Sequence, residues 1–259
     1  MYRLSLVVLF TGSCFFAKAQ TAVLPAEAKP FVVKGFEMLD YIVGDLNADK
    51  RPDAILILKI KGEDTSTAEE STRPLLLLIR QADGKLKQVK RTDDLVMCRQ
   101  CGGVFGDPYD NTAISGSGFT INFYGGSSWR WGYTYTFAYK PAQHNWYLVK
   151  EQQTSFQSGD PENTTKEVNI SETELGAVPI DNFSSSPPYA DTKWKVTAAK
   201  TFFYDNPQLG SKPRKGYLLK DNIATGIREL TNFVEISFEN GKSQFSTGFV
   251  LKKDLVKIK

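Results

Sequence analysis

The stretch from Trp129 to Lys140 reads Trp-Arg-Trp-Gly-Tyr-Thr-Tyr-Thr-Phe-Ala-Tyr-Lys, with an aromatic residue at every odd position from Trp129 to Tyr139. A period of two belongs to a β-strand, in which successive side chains point to opposite faces, so these rings share one face. Such a face either packs a core or forms a platform on which sugar rings stack. Core packing is the commoner use, and Thr134, Thr136 and Lys140 on the opposite side read as solvated. Hardly any segment elsewhere has helical period, while Tyr, Phe, Thr, Val and Gly are frequent. The patterns predict an all-β protein. An antiparallel, sandwich-like domain is expected over residues 20–155, a linker over 156–190 and a small barrel over 191–259.

Within the first domain, Phe36 to Val43, Ala54 to Ile60 and Pro74 to Ile79 read as strands, and Asp83-Gly84 turns the chain into Lys85 to Lys90 as a hairpin. Gly62 to Thr72 is charged and rich in Ser and Thr, which suits an exposed loop. Between the first two strands, oxygen-bearing side chains recur at every second residue and then after four: Asp45, Asn47, Asp49 and Asp53. Read as a loop, they converge on one point together with the backbone carbonyl of Arg51. Hard oxygen donors in that number suit Ca²⁺. The loop resembles that of FG-GAP and integrin-type repeats, in which Asp-x-Asn-x-Asp-Gly-x-x-Asp leads straight into a buried strand, here Ala54-Ile-Leu-Ile-Leu. The family has Gly where this chain has Lys50, which must then take a left-handed backbone costing about 1 kcal/mol or more.

Met1 to Ala19 carries Arg3 near its front, an apolar run from Leu4 to Phe16 and Ala17-Lys18-Ala19 before Gln20. That is the pattern of an export signal cleaved at an Ala-x-Ala site. Cys14 raises a lipoprotein reading, but Thr11-Gly12-Ser13 lacks the Leu expected upstream. The apolar run is too short to span a bilayer, and no later segment approaches the length of a transmembrane helix. Cleavage removes Arg3 and Lys18 and no acidic residue, taking the formal net charge from +3 to +1. A charge so near zero argues against a nucleic-acid or membrane-surface partner.

Cys98 and Cys101 remain in the exported chain, and a disulfide between them is the leading reading. A thioredoxin-type site would need a helix to start there, which Gly102-Gly103 and Pro108 forbid, and zinc would need ligands beyond the single His144. The stretch from Met97 to Lys150 resembles a recurrent module of exported bacterial proteins. There, Cys-Gly-Gly-x-Phe-Gly-Asp-Pro is followed by Tyr-Gly-Gly-Ser-x-x-Arg-Trp, an aromatic strand and a closing Trp-Tyr-Leu strand. Here those residues are Cys101 to Pro108, Tyr124 to Trp131 and Trp146 to Leu148, and the resemblance implies no catalytic residues.

Ser, Thr, Asn, Glu and Pro dominate from Gln152 to Ala190, which reads as a linker, either throughout or with an ordered first half that packs back on the sheet. Beyond it, short strands alternate with turns at Asp205-Asn-Pro207, Asp221-Asn222 and Glu239-Asn-Gly241. This segment resembles a bacterial Src-homology-3-type (SH3-like) barrel in Ala199 to Tyr204, Tyr217 to Asp221, Thr247-Gly-Phe-Val250 and Lys253-Asp-Leu255, with Phe249 where the family usually has Trp.

No Ser/His/Asp or Cys/His set, metalloprotease helix or phosphate loop is legible, and adjacent acids such as Asp93 and Asp94 point apart in a strand. The expectation is a non-enzymatic protein, exported to the periplasm or beyond, with a calcium-stabilised β domain and an SH3-like module. That module would hold an envelope protein, a peptide or a peptidoglycan component. The alternative is a carbohydrate-recognition protein using the face from Trp129 to Tyr139.

Overall fold

A computed structural model describes residues 23–63, 72–185 and 192–258. The expected export signal with Cys14, most of the Gly62 to Thr72 loop and the end of the expected linker lie outside these residues. The described chain is all-β, in antiparallel sheets.

Four strands, β1 (Phe36–Gly44), β2 (Asp53–Ile60), β3 (Arg73–Arg80) and β4 (Leu86–Val96), form one sheet in chain order. Five more, β5 (Tyr109–Ile114), β6 (Gly118–Gly126), β7 (Trp129–Lys140), β8 (Asn145–Gln157) and β9 (Lys166–Ser171), form a second meander. The sheets pack face to face. Ile55, Ile57, Leu75 and Leu77 of the first meet Phe119, Ile121, Tyr135 and Phe137 of the second in one buried cluster.

The remaining residues of β2 and β3, Ala54, Leu56, Leu58, Leu76 and Leu78, are buried on the outer face, beneath Leu24, Phe31 and Val32 of the preceding segment and Phe36, Met38 and Tyr41 of β1. Both faces of these two strands are covered. That is why their sequences are continuous apolar runs rather than alternating ones.

The C-terminal unit comprises β10 (Lys193–Val196), β11 (Lys200–Phe202), β12 (Tyr217–Leu219), β13 (Ile223–Glu229), β14 (Phe233–Glu239), β15 (Phe245–Leu251) and β16 (Leu255–Ile258). Its main sheet runs β15-β14-β13-β10-β16, and β11 with β12 forms a separate hairpin. The two close over Trp194, Val196, Phe203, Leu218, Val234, Ile236 and Val250. Among the described residues no sheet closes into a barrel. The hairpin meets the main sheet through one bridge, in which Tyr204 and Phe249 exchange backbone hydrogen bonds of 2.8 and 3.1 Å.

The stretch expected to be a linker, 156–190, is largely built into the fold. It contributes β9, which pairs along β8 from Lys150↔Ser171 to Ser155↔Lys166, and the short helices α1 (Pro161–Thr164) and α2 (Glu172–Leu175). The physical reason lies in Val168 and Ile170, an alternating apolar pair in a polar context. Ile170 is buried with Leu230, Phe233 and Phe249 of the C-terminal unit. The carboxylate of Glu174 also accepts bonds from the Asn232 backbone N–H at 3.1 Å and its side-chain amide at 2.8 Å. The two units therefore pack on each other across β9.

Candidate functional site

The loop between β1 and β2 brings the three predicted carboxylates together: one oxygen each of Asp45, Asp49 and Asp53 lies within 4.8 Å of the others. Asp45 organises the turn. Its Oδ1 accepts from the N–H groups of Asn47 and Asp49, both at 3.2 Å, and its Oδ2 accepts from that of Lys50 at 2.8 Å. Lys50 takes the left-handed conformation the spacing demands, with φ 66°, and Ala48 takes it too, with φ 64°. A residue with a Cβ pays for that geometry with about 1 kcal/mol or more.

Asn47 is drawn inward, its amide donating to Asp49 Oδ2 at 3.0 Å and its carbonyl oxygen accepting from Asp49 N–H at 3.1 Å. Arg51 lies beside them: its N–H donates to Asp49 Oδ1 at 2.9 Å and its guanidinium to Asp49 Oδ2 at 2.6 Å. Burial works to raise the Asp49 carboxyl, but its bonds from Arg51 and Asn47 outweigh this and hold it below the usual carboxylate range.

Asp53 ties the loop to the core. It is 0% exposed, and its two oxygens accept from the N–H groups of Leu46 at 2.9 Å and of Arg80, at the end of β3, at 2.8 Å. Burial pushes its carboxyl up, and the negative charges of Asp49 and Asp45 push the same way. Next in the loop, Leu46 is buried in the sandwich core and its carbonyl accepts from the Trp146 indole at 2.9 Å. The loop is thus fixed to both sheets. Concentrated acidic oxygens, one of them unfavourably buried as a charge, fit a hard divalent cation such as Ca²⁺, with Arg51 supplying part of the compensating charge.

The cysteine motif has a structural explanation. Cys98 and Cys101 are joined, with Cα atoms 5.2 Å apart. The following glycines pass close to the β6–β7 turn. Gly103 bridges to Gly126, and a Cβ on Gly103 would stand 2.9 Å from the Gly126 carbonyl oxygen. Phe105 lies under the Arg130 guanidinium at 4.1 Å and edge-on to Tyr124 at 5.5 Å. The two halves of the motif thus recognise each other.

Asp107 reaches further, to Arg73 at the start of β3, with both of its oxygens 2.7 Å from guanidinium nitrogens. Glu63 holds the other side of that guanidinium, at 2.7 Å from Nη2. Arg73 is 0% exposed. Sequence patterns do not reveal this cluster, because its acids come from a charged loop and from a motif more than thirty residues away. The only hint is an arginine at the head of the apolar run Pro74 to Ile79.

Reducing the disulfide will lower the melting temperature only modestly, because a loop this short restrains the unfolded chain by about 2 kcal/mol at most. Thermal unfolding with and without reductant checks this, and a collapse of the fold on reduction would contradict it.

The aromatic face of β7 divides along its length. Tyr135 and Phe137 are in the core, Trp131, Tyr133 and Tyr139 are half-buried against it, and Trp129 is 52% exposed. The core reading holds for the middle of the strand, and no six-ring platform exists. Trp129 instead stands at a cleft of about 640 Å³ between the two units, opposite Asn163, Lys166, Asp205, Arg214 and Thr247. A second cleft of about 580 Å³ lies on the C-terminal unit, between Leu209 and the pair Lys252 and Lys253. His144 occupies an exposed turn with φ 49°, its ring 3.4 Å from the Tyr139 hydroxyl. Comparison with protein-family models, with curated proteins and with solved structures finds no match to this chain.

Proposed function

We propose that this chain is a non-enzymatic, exported envelope-binding protein. In this reading a Ca²⁺ held by Asp45, Asn47, Asp49, the Arg51 carbonyl and Asp53 fixes the β-sandwich, and the SH3-like C-terminal unit holds a cell-wall or peptide ligand. The observation that carries it is the convergence of Asp45, Asp49 and Asp53 within 4.8 Å on a loop anchored to both sheets. A cation there acts on stability rather than on chemistry. The apolar leader and the Cys98–Cys101 disulfide support export to an oxidising compartment. Residues 192–258 carry twelve lysines and arginines against six acidic residues, a balance that favours ligands bearing carboxylates, such as peptide stems. The chain's single histidine lies on an exposed turn, which supports binding over acid–base catalysis.

Calcium will raise the melting temperature, adding about 2.7 kcal/mol when its free concentration is a hundredfold above the dissociation constant. Asp49→Ala will remove that increment and leave the chelator-treated melting temperature nearly unchanged. The pH dependence of each carboxyl has a definite sign. Without calcium, the raised pKa of Asp53 makes that group's own contribution to stability fall as pH rises through the carboxylate range, while the lowered pKa of Asp49 contributes with the opposite sign. Calcium favours the ionised carboxyl, so its increment grows over the same window. A melting curve indifferent to chelator would remove calcium from the proposal. Envelope binding itself is tested by sedimenting the protein with purified cell-wall sacculi, and failure to co-sediment at low and moderate salt would count against it.

A further inference from the structure

We propose that the cleft between the two units is a saccharide subsite in which one sugar ring stacks on the indole of Trp129. The inference rests on the envelope-binding reading and adds to it a neutral saccharide, bound at a place apart from the C-terminal unit's own peptide-binding surface. Strand β7 is longer than the core it covers: its rings are buried at Tyr135 and Phe137, half-buried at Tyr133 and Trp131, and open at Trp129. Among the described residues no other ring or cation lies against the Trp129 indole. A half-exposed indole thereby lines the cleft, on the end of a paired strand.

The facing walls are polar and come from both units. Asn163 and Thr164 of α1 and Lys166 at the start of β9 form one side, and Asp205, Arg214 and Thr247 form the other. Arg214 is fixed in place, its Nε donating to Asp205 Oδ1 at 2.7 Å and its Nη1 to the Thr247 carbonyl at 2.6 Å. The second carboxylate oxygen of Asp205 accepts no bond among the described residues.

A sugar ring has an apolar C–H face and a rim of hydroxyls. One aromatic plane ringed by amide, hydroxyl, carboxylate and guanidinium groups complements both. The volume of about 640 Å³ falls within the range of small-ligand sites, about 300–1,000 Å³. Lys166 and Arg214 face Glu167, Asp205 and Glu235 there, so the local charge favours a neutral saccharide over a phosphate-bearing or polyanionic ligand.

The test uses the full mature chain, chitotriose and cellotriose as probes, and a glutamate-rich peptide as the competing class. Trp146 and Trp194 are buried and Trp131 is half-buried, so a change in indole emission at an exposed site reports Trp129. Chitotriose or cellotriose should shift the emission with a dissociation constant on the order of 1 mM. Amide signals of residues 163–167 and of Asp205, Arg214 and Thr247 should move in step. Trp129→Ala, checked for fold by its melting temperature, should weaken binding about tenfold as read by those amide shifts, with Trp129→Phe in between.

No emission or amide change with either oligosaccharide overturns the subsite, as does equal affinity in Trp129→Ala. So does a response confined to the peptide. If the wild-type protein and Trp129→Ala sediment equally with sacculi while neither oligosaccharide acts, the envelope-binding reading stands and the saccharide subsite falls. If the oligosaccharides act as expected while sacculi are not bound, the subsite stands and the envelope ligand is wrong.

Discussion

Replacing Arg73 by alanine will destabilise the protein by about 3 to 5 kcal/mol, because it removes a fully buried guanidinium from between two acids. Arg73 is wholly buried at the head of β3, with Glu63 and Asp107 each 2.7 Å from its guanidinium and the Met97 carbonyl at 3.3 Å. Burial alone would pull its pKa down, but the hydrogen bonds to Asp107 and Glu63 overcome this and hold it above the usual arginine value. Removing one partner of such a group leaves uncompensated charge in a poorly solvated place, whereas removing the whole group costs far less. The combined change Arg73→Met, Glu63→Gln and Asp107→Asn should therefore recover most of the loss. Urea denaturation measures both. A single-mutant loss near that of a surface ion pair, about 1 kcal/mol or less, would show that the cluster is solvated instead.

Glu151→Ala is expected to have an effect of similar size and a different form. Glu151 is 2% exposed in the sandwich, on the same face of the sheet as its partner Tyr135. It is there because Arg228 of the C-terminal unit lies across it, with Nη1 2.7 Å from both carboxylate oxygens. Burial works against the Arg228 charge, but Glu151 more than restores it and holds its pKa above the usual value. Among the described residues, Arg228 without Glu151 keeps only Glu235, at 3.3 Å.

The loss should be about 3 to 5 kcal/mol, concentrated at the junction between the units. Calorimetry should show one unfolding transition for the wild type and two for the variant, with the C-terminal unit melting first. The Ile170, Leu230, Phe233 and Phe249 cluster still joins the units, so a double variant with Phe233→Ala should widen the separation. A single transition that persists in both variants would mean that the units do not depend on this contact.

Much of the architecture was legible because it rests on local periodicity. The alternation from Trp129 to Tyr139 specified strand β7, and the apolar runs of β2 and β3 read as strands of a sheet with one side well covered, whereas the structure covers both sides. The Asp45 to Asp53 spacing brought its carboxylates together as read, down to the left-handed Lys50. Cys98 and Cys101, three residues apart, are joined within a single short turn.

What was not legible depends on partners distant in sequence. Val168 and Ile170 are two apolar residues among polar ones, too weak a pattern to announce a strand. They become one because β8 offers an open edge and the C-terminal unit offers Leu230, Phe233 and Phe249 to bury against. The aromatic stripe posed a choice between core and platform that periodicity cannot make, since both need the same alternation. The length of β7 beyond the opposing sheet divided it, leaving Trp129 open. Nor could composition pair Arg73 with Glu63 and Asp107, or Glu151 with Arg228, 77 residues apart. The sequence by itself determined the strands with strong local patterns, where they turn and where acidic oxygens gather, because those follow from neighbours a few residues away. Only the tertiary structure decided which charges are buried, which aromatic ring stays open and that the two units share one interface, because burial is a property of surfaces that meet after the chain has folded.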